Sequence, residues 1–333
     1  MTAAPAFTGG VVEATEPPEY RGIARDGVRM LVTDRRARSN THAHFYDLPS
    51  LLRPGDLLVV NDSATVPAAL VAHRRDGSSL RLHVSTKIDE RLWMVEPRGP
   101  IETGEVLALP GGGAVTILTA VEPERPRLWY ASFALPASMY AYLTEFGVPI
   151  TYGYLHRGFP LAEYQTLFAR STGSSEMPSA ARPFTPRVVA RLRDCGVEIA
   201  TVTLHCGVAS FESPERPGTE RFVVSADAAV QVNAARREGR RVVAVGTTVV
   251  RALESAASDE ELIASAGWTD LFVDETHRIK AVDALLSGFH DANATHLSML
   301  GAFIDRELLE SAYAQAAELG YFYHEFGDIH LIV

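Results

Sequence analysis

The sequence predicts an α/β fold, a large α/β domain with a small antiparallel β-barrel domain inserted into it. Three observations point there. In the second half, strand-length apolar runs alternate with helical periodicity, as in residues 197–204, 226–238 and 242–245. That alternation layers helices on a largely parallel sheet. Residues 66–134 have another texture, with six short alternating runs separated by Asp76-Gly77, Pro97-Arg98-Gly99-Pro100, Gly111-Gly112-Gly113 and Pro123-Glu124-Arg125-Pro126. Short strands with such punctuation read as a small barrel. Finally, a buried-strand run at 57–60 precedes the barrel, so the α/β pattern is interrupted by it. The expected division is 1–65 with 135–333 for the discontinuous α/β domain, and 66–134 for the six-stranded barrel. A chain of 333 residues, 47% hydrophobic, can build about two domains.

In chain order, residues 1–22 are rich in Pro and Ala and read as an irregular lead-in. Residues 29–34 read as a strand, and His42 and His44 alternate along a second one. Pro54-Gly55 ends a short helix or turn begun at Asp47. The strand at 57–60 closes on polar Asn61 and Asp62, which either face a crevice, as strand ends of α/β sheets do, or form an Asx turn. After the barrel, residues 136–147 form a helix with Pro at its start and Gly at its end. Tyr152, Tyr154, His156 and Tyr164 crowd an irregular segment. Residues 171–180 read as a Ser-rich loop. A helix at 186–195 stops at Gly196, and the next strand ends on His205-Cys206-Gly207. A helix spans 226–238. Residues 270–274 read as a strand, 295–303 and 306–319 as helices, and 330–333 as a closing strand.

The most informative stretch is 240–254. An apolar strand, Val242 to Val245, meets Gly246, which permits a tight turn. Thr247 or Thr248 then caps a helix. Such a junction points free N–H groups and the positive end of a helix dipole at one spot, where a carboxylate or phosphate fits. Arg251 and Glu254 share one helix face; Arg251 would hold an anion, Glu254 a hydroxyl or ammonium. An ordinary strand–turn–helix corner with an ion pair has the same pattern.

Composition narrows the chemistry. Net charge is −10, from 31 Lys+Arg against 41 Asp+Glu, which argues mildly against nucleic acid. Lys87 and Lys280 are the only lysines, and neither sits in a phosphate loop, so a pyridoxal phosphate enzyme is not expected. Cys195 and Cys206 have no metal or redox spacing, so no metal is expected and a reducing cytoplasm is the natural compartment. No apolar run is long enough to span a membrane, and no secretory signal opens the sequence.

Taken together, the segments resemble the QueA family, the S-adenosylmethionine:tRNA ribosyltransferase-isomerases, from about residue 25 to the end. The likeness lies in Arg25-Asp26, Leu31-Val32, Asp34-Arg35, Asp47-Leu48-Pro49, Arg53-Pro54-Gly55-Asp56, Asn61, Tyr164-Gln165-Thr166, Gly196-Val197-Glu198, His205-Cys206-Gly207, Val245-Gly246-Thr247-Thr248, Arg251, Glu254-Ser255, Val282-Asp283-Ala284, Phe289-His290 and Phe326-Gly327-Asp328. The resemblance implies an α/β domain with an inserted barrel. It also implies S-adenosylmethionine as substrate: its ribosyl group is transferred and isomerised onto a 7-aminomethyl-7-deazaguanine base in a tRNA anticodon, releasing adenine and methionine. The chain departs from the family pattern at several loop positions. Two arginines are replaced by Ala64 and Ala69, and a histidine by Pro183.

These losses remove donors for RNA. The sequence therefore predicts an S-adenosylmethionine-consuming enzyme for which tRNA is a doubtful partner. The expected reaction is a small-molecule lyase or cyclase step releasing methylthioadenosine, for example with formation of 1-aminocyclopropane-1-carboxylate, without pyridoxal phosphate. The alternative is a tRNA ribosyltransferase-isomerase making epoxyqueuosine; a third reading is a non-catalytic RNA-binding relative. His205, His290 and Glu254 are the expected catalytic residues. Asn61, Asp62, Tyr152, Phe211, Gly246, Thr247, Thr248, Arg251 and Phe289 are expected to bind S-adenosylmethionine. Oligomeric state is not legible.

Overall fold

Leu57, Leu58, Val59 and Val60 are all fully buried. A strand achieves that only where both faces of its sheet are covered. The computed structural model describes residues 11–208, 218–291 and 295–333, and there these four residues form the middle of a nine-stranded sheet. We number the strands β1 (Arg29–Asp34), β2 (Ser39–His44), β3 (Leu57–Asn61), β4 (Ala69–His73), β5 (Ser79–Lys87), β6 (Leu92–Pro97), β7 (Val106–Ala108), β8 (Ala114–Ala120), β9 (Trp129–Ala134), β10 (Glu198–Leu204), β11 (Glu220–Val224), β12 (Val242–Val245), β13 (Ser265–Thr269), β14 (Ala284–Gly288) and β15 (Ile329–Ile332). The helices are α1 (Leu48–Leu51), α2 (Met139–Phe146), α3 (Pro186–Asp194), α4 (Ala226–Arg237), α5 (Thr247–Ala256), α6 (Thr295–Gly301) and α7 (Arg306–Glu318).

The sheet runs β13-β11-β10-β3-β12-β14-β15-β1-β2. Its centre, β10-β3-β12-β14, is parallel. Leu57 and Val59 point to one side, into a core built with α4, α5 and α7 through Val232, Val249, Leu253 and Leu309. Leu58 and Val60 point to the other, against Phe184, Val188 and Leu192 around α3. Alternate residues thus feed two cores, which is why the strand lacks polar alternation.

β4 to β9 close into a six-stranded antiparallel barrel in the order β8-β9-β6-β5-β4-β7. Its core includes Leu82, Val95, Trp93, Val115 and Ile117, and α2 adds Tyr142 and Leu143 to it. Inside the barrel wall, His83 meets Glu96 at 2.8 Å, and Arg127 reaches the same carboxylate at 3.0 Å.

Three local expectations change. Residues 270–274 are not a strand; the edge strand is β13, just before them, paired with β11. The chain leaves the sheet there as Thr269 Oγ1 accepts the Leu271 amide at 3.1 Å and Leu271 gives its carbonyl to Arg251 at 2.9 Å. The Ser-rich segment is not a plain loop: Ser171–Ser174 pairs in parallel with Ser63–Thr65. Nor does a threonine cap α5. Gly246 takes the N-cap position at φ 92°, with no side-chain cap, and a Cβ there would press on Ala180 at 3.3 Å. Among the described residues no helix is long and apolar enough to cross a membrane.

Candidate active site

β12 and β14 end side by side, since Val245 pairs with Leu286 in parallel register. A cavity of about 260 Å³ lies over these ends and reaches the barrel. The barrel contributes Ser85, Met94 and Arg127. The segments after it bring Tyr152 and Glu176, the sheet ends bring Gly246–Thr248 and His290, and the C-terminal segment brings His324 and Glu325. Carboxyl ends of parallel strands are where open α/β sheets bind ligands.

At the start of α5 the first amide accepted by Gly246 O is that of Val249, at 3.1 Å, followed by Val250 at 3.4 Å. The Thr247 and Thr248 amides therefore precede the helix's own hydrogen bonds, and both residues line the cavity. Free amides with the helix dipole behind them make an anion site.

Arg251, one turn on, also lines the cavity, but its donors are turned inward. Nε donates to Leu271 O at 2.9 Å, and Nη2 to Thr269 O at 3.1 Å and Gly218 O at 3.2 Å. Nη1 is paired with Glu220, whose other oxygen accepts the Gly207 amide at 2.7 Å. Arg251 thus ties the loops around the cavity together, and a carboxylate entering would meet the Thr247–Thr248 amides.

The structure moves several expected residues away from the cavity. The carboxylate of Glu254 is fully enclosed elsewhere, accepting the amides of Lys280 and Ala281 at 2.9 and 2.8 Å and lying 3.3 Å from His277 Nε2. It anchors a loop and has no face left for substrate. Phe289 is wholly buried, its ring packed among Tyr313, Tyr321, Tyr323 and His330. Asn61 is also fully buried and clamps neighbouring strands, exchanging bonds with the Leu204 amide and carbonyl at 3.0 and 2.8 Å. Asp62 accepts from Thr203 and Ser171.

His205 stands behind the wall. Its Nδ1 lies 2.7 Å from Ser63 Oγ, which touches Ser174 Oγ at 2.6 Å; that hydroxyl accepts the Cys206 amide at 2.9 Å. Burial, helped by Arg221, pushes the imidazole below its ordinary range, so it is neutral. Gly173 sits against it, where a Cβ would come within 2.6 Å of the ring. Phe211 lies outside the described residues.

Of the expected residues, the cavity gathers Tyr152, Gly246, Thr247, Thr248, Arg251 and His290. His290 stacks on His296 with ring centroids 3.9 Å apart. Burial and the neighbouring histidines hold it well below its ordinary range. His296 is driven down to about 3 and lies 3.0 Å from Ser287 Oγ. Both rings are neutral at physiological pH, so each accepts a proton only weakly.

Sequence reading missed Glu176 and Glu325. Tyr152 donates its hydroxyl to Glu176, and Tyr154 donates to Glu325. Loss of solvation pushes Glu325 up to about 7. The available signal was a polar pair, His324-Glu325, inside the aromatic run 321–326. Cys206 also lines the cavity, but burial raises its thiol far beyond neutral pH and keeps it protonated. Among the described residues, no group of three or more His, Cys, Asp or Glu is placed to hold a metal ion.

Comparison with known proteins agrees with this architecture. Residues 11–332 match the family described as Queuosine biosynthesis protein. The chain is similar to the S-adenosylmethionine:tRNA ribosyltransferase-isomerase of Moorella thermoacetica, 36% identical over 321 residues, covering 93% of this chain and 94% of that one. A protein of the same description from Thermus thermophilus is 37% identical over 341 residues, covering 95% and 97%. The crystal structure of an S-adenosylmethionine tRNA ribosyltransferase from Thermotoga maritima superposes with a TM-score of 0.56 at 28% identity, covering 97% of this chain and 96% of that one.

Proposed function

Because the chain belongs to the queuosine biosynthesis protein family, we propose that it is an S-adenosylmethionine:tRNA ribosyltransferase-isomerase. The observation that carries this reading is similarity along nearly the whole chain to relatives of that one description. It corrects the expectation of a small-molecule lyase or cyclase, since the Moorella and Thermus relatives are described as ribosyltransferase-isomerases. It also corrects the doubt about tRNA. That doubt rested on the net charge of −10 and on Ala64, Ala69 and Pro183, and these three residues are poor witnesses. Ala69 is buried at the start of β4, Pro183 is buried beside α3, and Ala64 is half-buried in a strand facing Thr172. Residues inside the fold carry little information about a phosphate track on its surface.

The site is suited to S-adenosylmethionine. The Thr247 and Thr248 amides would take the methionyl carboxylate. Tyr152 offers an aromatic face. His290 and His296 are neutral, so they add no charge to repel the substrate's cation. The mouth between barrel and sheet would admit the anticodon base, and the barrel wall would help exclude water from the reacting ribose.

The test is incubation of the protein with S-adenosylmethionine and tRNA carrying 7-aminomethyl-7-deazaguanine. Adenine and methionine should appear in step with the modified nucleoside, and only when that tRNA is present. Turnover without RNA, or no adenine in its presence, would overturn the reading.

A further inference from the structure

Beyond β10 the edge of the sheet has one face left largely open. Phe222 of β11 is buried with Leu204 in the core on the α5 side. Val223 pairs with Thr203 and Ala266, and Arg221 pairs with Trp268, so these residues project to the opposite side. On that side α3 packs on the middle of the sheet through Val188 and Leu192. Towards the β13 edge Arg221, Ala266 and Trp268 are exposed, while Thr203 and Val223 are half-buried.

Arg221 and Trp268 stand directly opposite each other on neighbouring strands, a register that sets their Cβ atoms about 5 Å apart. Trp268 is 45% exposed, which leaves much of a large apolar ring in water. The His205 amide donates to Arg221 O at 2.9 Å, so His205 continues the row one strand inward. This row follows the cavity rim. Gly207, two residues past His205, lines the cavity, and so do Gly218 and Glu220, just before Arg221.

The acidic side chains around the row are engaged by other partners. Glu220 projects to the other side of β11, onto Arg251 and the Gly207 amide at 2.7 Å. Asp62 accepts from Thr203 at 2.6 Å and from Ser171 at 3.2 Å. Arg170, also exposed, is fixed beside Asp62 by its amide, 2.8 Å from Asp62 O. Neither Arg221 nor Arg170 pairs with a carboxylate among the described residues. A chain of net charge −10 thus keeps two unmatched guanidinium groups and an exposed indole beside its cavity.

Resting on the tRNA reading above, we propose that this open face holds the single-stranded RNA next to the modified base, with a neighbouring base stacked on Trp268 and a phosphate on Arg221. An aromatic ring on a sheet with a cation beside it suits unpaired nucleotides, because every base has a π-face and every linkage a negative charge. A base inside a duplex is already stacked on both sides and cannot use such a platform. At the rim, one nucleotide enters the cavity while its neighbour rests on the sheet.

Fluorescence anisotropy of the full chain tests this, with a labelled anticodon stem-loop carrying 7-aminomethyl-7-deazaguanine at about 50–200 mM salt. Trp268→Ala should weaken binding about tenfold, and Trp268→Phe should restore most of it. Arg221→Gln should weaken it severalfold and lower the slope of log affinity against log salt by roughly 0.7–1. Both variants should retain S-adenosylmethionine binding, which shows them folded. Arg36→Gln, in the turn between β1 and β2 at the far edge of the sheet, should change neither RNA affinity nor slope. Unchanged RNA affinity in Trp268→Ala and Arg221→Gln would overturn the docking face, and so would equal wild-type affinity for a fully paired stem. A wild-type dimer that Trp268→Ala separates without loss of RNA affinity would give the face to a second copy of this chain and also overturn it. RNA binding that depends on Trp268 and Arg221, without adenine release by the wild type, would overturn the transfer reading and leave the face standing. Absence of RNA binding by the wild type would overturn both.

Discussion

Two carboxylates, Glu254 on α5 and Glu325 near the C-terminus, show how differently one fold can use the same group. Glu254 is met by the backbone amides of Lys280 and Ala281, with His277 beside it. Arg251, on the same helix, is likewise matched by Glu220 and three carbonyls. Glu325 has the Tyr154 phenol and a cavity in front of it, and burial keeps a proton on it up to about pH 7. The α5 side chains hold loops in place. The Glu325 turn holds a charge that can still change.

The strongest way to break this contrast is Arg251→Ala. It would leave Glu220 without its cation and three carbonyls without a donor. We expect a loss of about 3–5 kcal/mol in urea unfolding. A loss under about 1 kcal/mol would mean that Arg251 is not structural. Glu254→Gln comes next. An amide can replace only part of the carboxylate's accepting role, and we expect about 1–3 kcal/mol of destabilisation, with S-adenosylmethionine affinity retained in the folded protein. A collapse of affinity at unchanged stability would return Glu254 to the site.

The smallest effect sharpens the contrast through pH. The carboxyl of Glu325 is raised in the folded state, while the unfolded chain holds it near the ordinary value. Between about pH 4 and 7 the unfolded state therefore loses its proton first, and the wild type loses stability as pH rises. Below that window both states are protonated and the cost vanishes. Glu325→Gln should thus raise the melting temperature by a few degrees at about pH 8 and leave it unchanged at about pH 4. Equal shifts at both values would remove the claim that Glu325 titrates in the folded protein.

Several elements were legible because their signals are local. The run 57–60 announced a doubly covered strand, and Val242–Val245 followed by Gly246 announced the strand-to-helix junction whose amides line the cavity. The six barrel strands followed from alternation and turn residues. Other features were not local. Residues 270–274 are apolar enough for a strand, yet Leu271 gives its carbonyl to Arg251 and not to a ladder. Glu254 looked like a site residue because it shares a helix face with Arg251, and Phe289 because of its aromatic ring between Gly288 and His290, which do line the cavity. On α5 Glu254 lies almost a turn beyond Arg251 on the same face, and there the amides of Lys280 and Ala281 take its carboxylate. At Phe289 the backbone step from Gly288 to His290 sends the ring into the core while its neighbours line the cavity.

The sequence by itself determined the α/β sheet, the inserted barrel, the family and the strand-to-helix junction at Gly246. These depend on periodicity, turn chemistry and ordered segments, all written along the chain. Only the tertiary structure decided which polar groups face the cavity and which are consumed inside. Ser85, Tyr152, Glu176, Thr248 and Glu325 come from five distant segments. Whether a carboxylate is poised or satisfied depends on the donors that distant chain brings to it, and neither burial nor partner is a property of the residue alone.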